Sequence, residues 1–122
     1  MIISKISNLE VIIMDYIIYQ ITKEEFKRGE IDLQFKGYKW FERYCGNVDF
    51  NLTKLGYEQV YIGKIESTDI QKSLNELFRK FNIELPENYK GRSLSVSDVV
   101  KIGNEYYYCD SIGWKQLENV VF

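Results

Sequence analysis

The residues best placed to do chemistry lie in Gly91-Arg92-Ser93-Leu94-Ser95-Val96-Ser97-Asp98, where hydroxyls, a carboxylate and a guanidinium crowd one short stretch. Short polar side chains of this kind bond to neighbouring backbone amides, so Ser93, Ser95, Ser97 and Asp98 read as residues that order a turn before they read as nucleophiles. Arg92 differs. Its five-donor fork beside a glycine suits a carboxylate or a phosphate, in a partner or in a nearby acid of the same chain. Covalent chemistry lacks its usual base, because the chain has no histidine. That removes the group that titrates near neutral pH and every Ser-His or Cys-His nucleophile pair. No catalytic residue is assigned.

The remaining catalytic patterns are absent as well. Cys45 and Cys109 stand far apart with no Cys-x-x-Cys spacing, and both read as inert thiols. The glycines are scattered and none precedes the Lys-Ser/Thr pair of a nucleotide loop. Asp32, Asp49, Asp69, Asp98 and Asp110 are potential magnesium ligands, but no spacing marks a loop site. No metal and no cofactor are expected.

Binding chemistry is better represented. In a strand through Glu105 to Cys109, Tyr106 and Tyr108 project from one face and Tyr107 from the other, with Tyr57, Tyr61 and Trp114 as potential neighbours. Such a face can stack on unpaired bases or anchor a protein interface, though half of the alternating positions must pack beneath a helix. Lys23, Lys27 and Arg28 cluster, as do Lys36, Lys39 and Arg43, and these read as solvated charged faces. With a net charge of −2 and a pI near 5.2, the whole-molecule field neither favours a phosphate backbone nor imitates one.

These residues must be positioned by a small fold. At 122 residues, with 45% hydrophobic and 16% aromatic residues and a single proline, the chain has the size and apolar content of one compact domain. Val11 to Met14 is apolar but is bracketed by Glu10 and Asp15, far short of the ~20 residues a bilayer crossing needs. No secretory leader is recognised, so a cytoplasmic location without membrane contact is expected.

Along the chain, Ile2 to Ile6 and Leu9 to Met14 flank Ser7-Asn8 as an N-terminal β-hairpin, and Tyr16 to Ile21, apolar on both faces, reads as a separate central strand. Thr22, Glu24 and Glu25 open a helix that stops near Gly29. Gly37 to Cys45 is a short amphipathic helix whose aromatics, Trp40 included, are read as core. Glu58 to Ile65 alternates as a strand. Ser67-Thr68-Asp69 then caps a helix with Ile70, Leu74, Leu77, Phe78 and Phe81 on one face, ending near Asn82 before Pro86. Val99 to Ile102, Gly103-Asn104 and Glu105 to Cys109 form a hairpin with a glycine-first turn, and Gly113 marks a second turn. The fold class is therefore α+β: a small, mainly antiparallel sheet with one long and one or two short helices packed on it.

A resemblance adds to this reading. The order Tyr19-Gln20-Ile21, Tyr38-x-Trp40-Phe41, Tyr57-Glu58-x-Val60-Tyr61-x-Gly63, Lys80-Phe81-Asn82, Pro86-x-x-Tyr89-x-Gly91 and Ser93-Leu94-Ser95-Val96-Ser97-Asp98-Val99 resembles the YodL-like domain. The likeness continues through Tyr107, Asp110-Ser111-x-Gly113-Trp114 and Leu117. The chain is thus read as one domain over 1–122, with a hairpin extension over 1–18 and a YodL-like domain over 19–117. Domains resembling this one occur in proteins of conjugative elements, plasmids and phages of low-GC Gram-positive bacteria, often beside antirestriction proteins. The resemblance carries no active-site set, so Ser93, Ser95, Ser97, Asp98, Gly103, Asn104 and Gly113 transfer as markers of the fold.

That context implies counter-defence in the host bacterial cell. The expected function is a protein that binds and inhibits an immune nuclease, a CRISPR-Cas9 effector or its guide-RNA complex, by occupying a surface. Expected contacts are Arg92, Tyr106, Tyr108, Trp114 and Lys115, with Lys5, Ser7 and Asn8 at the N-terminal hairpin tip. Two alternatives stand beside it: an RNA-cleaving factor that truncates guide RNA, with Lys, Tyr or Glu replacing histidine, and a non-inhibitory interaction module of conjugation machinery.

Overall fold

The computed structural model describes residues 2–6, 9–21, 34–45, 50–67 and 69–121. The sheet dominates. Strands β1 (Ile2–Ile6) and β2 (Leu9–Ile21) form the N-terminal hairpin, with Lys5 opposite Glu10. Ser7, Asn8 and the helix expected after Thr22 lie outside the described residues. Helix α1 (Tyr38–Cys45) leads to the two-residue strand β3 (Phe50–Asn51) and then to β4 (Tyr57–Ser67). Helix α2 (Ile70–Ile83) precedes β5 (Val99–Ile102), β6 (Glu105–Cys109), β7 (Trp114–Leu117) and β8 (Val120–Val121).

β2 is the spine. The sequence splits it at Asp15, yet it runs unbroken for 13 residues, because both of its edges carry ladders. One edge takes β4 from Ile12 to Ile21; the other takes β1 along Leu9 to Ile13 and β5 along Tyr16 to Tyr19. Asp15 needs no break, since it faces solvent and pairs with Lys64 across the ladder at 3.2 Å. β6 and β7 extend the sheet beyond β5, and every pairing in it is antiparallel. A bulge at Val60 lets β2 keep its alternation while β4 changes face, so Tyr57 and Tyr61 serve opposite sides. β3 and β8 pair in parallel as a separate two-stranded unit, which no sequence pattern announced.

Each face of the sheet is covered. Leu74, Leu77 and Phe81 of α2 pack on Tyr16, Ile18, Val100, Ile102 and Tyr107, all buried. Asp69 caps this helix by accepting from the amides of Gln71 and Lys72, within the expected Ser-Thr-Asp signal. At 14 residues α2 is of ordinary length, which corrects the expectation of a long helix. Phe78 is also corrected, since it lies on the outer side and stays 39% exposed. On the other face, Phe41 of α1 joins Tyr19, Ile21, Leu52, Leu55, Tyr57, Val99 and Tyr108. The β5–β6 turn has positive φ at Gly103 and not at Asn104, the glycine-first geometry the sequence predicts. Among the described residues no helix is long and apolar enough to cross a membrane.

Candidate functional site

The Gly91–Asp98 stretch docks on the C-terminal end of β2 through one polar residue. Gln20 is 1% exposed, between the buried side chains of Tyr19 and Ile21. Its Nε2 donates to the Arg92 carbonyl and to Asp98 Oδ2, both at 3.0 Å, and its Oε1 accepts from the Arg92 amide at 3.1 Å. Gly91 is required here because a Cβ would collide with Gln20 Oε1 and the Tyr89 hydroxyl. Tyr89 in turn donates to the Arg92 carbonyl.

A buried ion pair sits on this platform. Arg92 Nη1 and Nη2 donate to Asp98 Oδ2 and Oδ1 at 2.9 and 2.7 Å, the bidentate fork a guanidinium is shaped for. The Ser95 amide donates to Asp98 Oδ2 at 2.7 Å, so that oxygen accepts from three groups. Asp98 is fully buried, while the Arg92 side chain is 28% exposed. Burial pushes the Asp98 carboxyl up, and the Arg92 guanidinium, the Ser95 amide and Gln20 pull it back. Burial also pushes the Tyr89 hydroxyl up to about 12, with the Asp98 charge adding to it and Arg92 and Gln20 opposing. Every carboxylate oxygen here is spoken for, so Asp98 is a structural anchor and not a base.

Backbone strain collects beside the pair. Ser97 has φ of 82° and Phe35 has φ of 63°, and the Phe35 amide donates to Ser97 Oγ at 2.8 Å. The Ser97 carbonyl accepts from the Tyr57 hydroxyl at 2.6 Å, and its amide donates to the Cys109 carbonyl at 2.9 Å. A bulky residue in the left-handed region costs on the order of 1–3 kcal/mol and persists only where neighbours enforce it. The strain here holds an aromatic ring outward: Phe35 is 55% exposed, and the Arg92 guanidinium lies over it at 4.7 Å. Lys90, Gly91, Arg92, Gln34, Phe35 and Gln20 surround an open pocket of about 330 Å³ next to this ring.

The ring continues into α1. Asp110 Oδ1 accepts from the Tyr38 amide at 3.1 Å and from Ser111 at 2.8 Å, so a carboxylate from the β6–β7 turn caps the helix start. This fixes Tyr38 and Phe41 inward against Tyr108 and turns Trp40 outward. Trp40 is 42% exposed, with Lys36 at 5.3 Å and Arg43 at 5.8 Å from its ring, which corrects its assignment to the core. Cations thus meet exposed rings twice, Arg92 at Phe35 and Lys36 with Arg43 at Trp40, and Phe35 and Lys36 are adjacent in the chain.

The expected contact residues divide sharply. Tyr108 and Trp114 are core, at 0% and 8% exposure, and offer no ring to a partner; Tyr108 donates its hydroxyl to the Lys36 carbonyl at 2.8 Å. Tyr106 is half-buried against Tyr19, with Lys101 over its ring at 5.6 Å. Lys115 is exposed on β7 opposite Tyr108. Lys5 lies in β1, away from the Arg92 turn, and Ser7 and Asn8 are outside the described residues. The structure joins Arg92, Ser95, Ser97 and Asp98 into one node, while Ser93 is exposed and Gly103, Asn104 and Gly113 serve turns elsewhere. Sequence reasoning named Gln20 and Tyr89 only as motif residues and Tyr57 only as a neighbour of the Tyr106 face, and it missed Phe35 altogether. Gln20 had a signal, an amide inside an apolar strand; Phe35 had none.

Other chemistry is sparse. Cys109 is free and 2% exposed, and burial with the charges of Asp98 and Asp110 pushes its thiol up to about 12. Among the described residues no group of three or more Cys, Asp or Glu side chains could hold a metal ion.

Comparison with known proteins agrees with this arrangement of motifs. The model of the YodL-like domain matches residues 15–120, which takes in β2 from Asp15 onward, both helices and the whole Arg92–Asp98 node. Uncharacterized protein YodL of Bacillus subtilis (strain 168) is 29% identical over 75 residues, covering 56% of this chain and 72% of that protein. No solved structure matches. The match spans most of the chain and includes the residues that build the node, and the chain belongs to the YodL-like domain family.

Proposed function

We propose that the chain is a binding protein that obstructs a host nuclease system of the CRISPR-Cas9 type by occupying the effector or its guide-RNA complex. The observation that carries the binding reading is Phe35, a large ring kept at a positive φ, in solvent, over a guanidinium that a buried carboxylate holds in place. Strain of this kind concentrates at ligand clamps and switch regions. The one carboxylate described beside the ring, Asp98, is already paired with Arg92, Gln20 and Ser95, which favours occupancy over turnover. The choice of a nuclease target comes from the mobile-element context that the family resemblance implies.

A cutting assay with purified effector, guide and target DNA tests this. The expected result is inhibition that saturates at a fixed ratio of this chain to effector, with the guide intact on a denaturing gel. Unaltered cutting at large excess contradicts the proposal, and shortened guide would replace obstruction with RNA cleavage.

A further inference from the structure

We infer that the pocket beside Phe35 takes one unpaired nucleotide of a single-stranded nucleic acid, its base against the Phe35 ring and its flanking phosphates on Lys90 and Lys36. This rests on reading the chain as a binding protein, though not on the identity of its target. The pocket's volume of about 330 Å³ lies at the small end of ligand sites, enough for a planar base and too little for a helix. Its aromatic wall is already half of a stack, since Arg92 covers Phe35 at 4.7 Å. A base adds to such a pair through the same π-face chemistry that single-strand binders use.

Charge selects the same ligand. None of the described residues around the pocket is acidic, Asp98 is fully buried and neutralised by Arg92, and Lys90 is exposed at the rim. The local sign is therefore positive on a chain whose net charge is −2. Phe35 is followed in the chain by Lys36, which with Arg43 flanks the exposed Trp40 ring, so rings and cations alternate along this segment. That alternation matches a strand, whose bases and phosphates also alternate, whereas an acidic peptide would use the cations and leave the rings unexplained. Phe35 is the discriminating residue. At φ of 63° its position favours glycine, so Phe35→Gly removes the ring while relieving the backbone.

The test is fluorescence anisotropy with the full chain and a short labelled single-stranded RNA of mixed sequence, across a salt series. We expect saturable binding whose logarithmic salt slope is about −1.4, as for two neutralised phosphates on a single strand. Phe35→Gly is expected to weaken binding by about tenfold without changing that slope. Lys90→Ala is expected to weaken it and reduce the slope by about 0.7. Both variants should unfold cooperatively like the parent. No binding at low salt, or equal binding by Phe35→Gly, overturns the inference. Displacement of the RNA by polyglutamate at equal charge also overturns it, in favour of an acidic protein segment. Inhibited cutting without strand binding removes this pocket and leaves obstruction standing; strand binding without inhibition does the reverse.

Discussion

Two neighbouring stretches of the C-terminal half of β2 adjoin regions built on opposite rules. Under α2, Tyr16 and Ile18 meet Leu74, Leu77 and Phe81 in an apolar cluster whose rings stack edge to face, as Tyr61, Phe81 and Tyr89 do at 5.0–5.9 Å. Two residues beyond Ile18, Gln20 anchors a charged loop, two residues nearby sit at positive φ, and a ring faces solvent. The first region is what folding alone selects, since it is built from apolar and aromatic side chains packed on one another. The second spends stability on geometry that folding does not need, which is where function is expected.

The largest expected effect breaks the polar region from within. Asp98→Ala leaves Arg92, the Gln20 amide and the Ser95 amide without their shared acceptor, and should cost about 3–5 kcal/mol in denaturant unfolding. Replacing both charges with apolar residues, Arg92→Met with Asp98→Leu, should recover only the share of that loss that comes from the unpaired guanidinium, because the Gln20 and Ser95 amides still lack their acceptor. Leu74→Ala sets the apolar region on the same scale. It leaves a cavity beneath a 0% exposed side chain and should cost about 2–5 kcal/mol, with no effect on binding.

Smaller effects sharpen the contrast. Asp110→Ala removes the cap of α1 and should cost about 1 kcal/mol, loosening the segment around Trp40 while leaving α2 unchanged in hydrogen exchange. Alkaline pH should act on both regions together. Burial raises Tyr16 and Tyr89 from 10.0 to about 12 and Cys109 from 9.0 to about 12, so the folded state holds protons that the unfolded chain releases. Stability is then fully present below about pH 9 and declines as pH rises toward 12. Unfolding midpoints across that range, read beside tyrosinate absorbance and the reaction of Cys109 with a thiol reagent, check the sign. Early ionisation of all tyrosines with no loss of stability would contradict it.

Much of this architecture was legible in the sequence, and the reason is periodicity. The Ile70 to Phe81 steps fixed a helix, Asp69 its start, and Gly103-Asn104 a hairpin, because each signal is local. The Ser95 to Asp98 turn and the pairing partner of Arg92 were also within reach, since short polar side chains and a guanidinium announce what they bond. What the sequence concealed depends on distant chain. Tyr108 and Trp114 look like binding aromatics until the layers on the two faces of the sheet close over them, one on each side. Gln20 meets Arg92 across 72 positions, and Phe35 acquires its conformation from Ser97 across 62. Residue type alone reports none of these meetings.

The most direct measurement is the stability of Phe35→Gly. If Phe35 is a strained ring held out for a partner, relief of the left-handed backbone should offset the added chain entropy and the lost contact with Arg92, keeping unfolding free energy within about 1 kcal/mol of the parent. A loss of several kcal/mol, the usual result of truncating a core aromatic, would make Phe35 a structural plug and contradict the account.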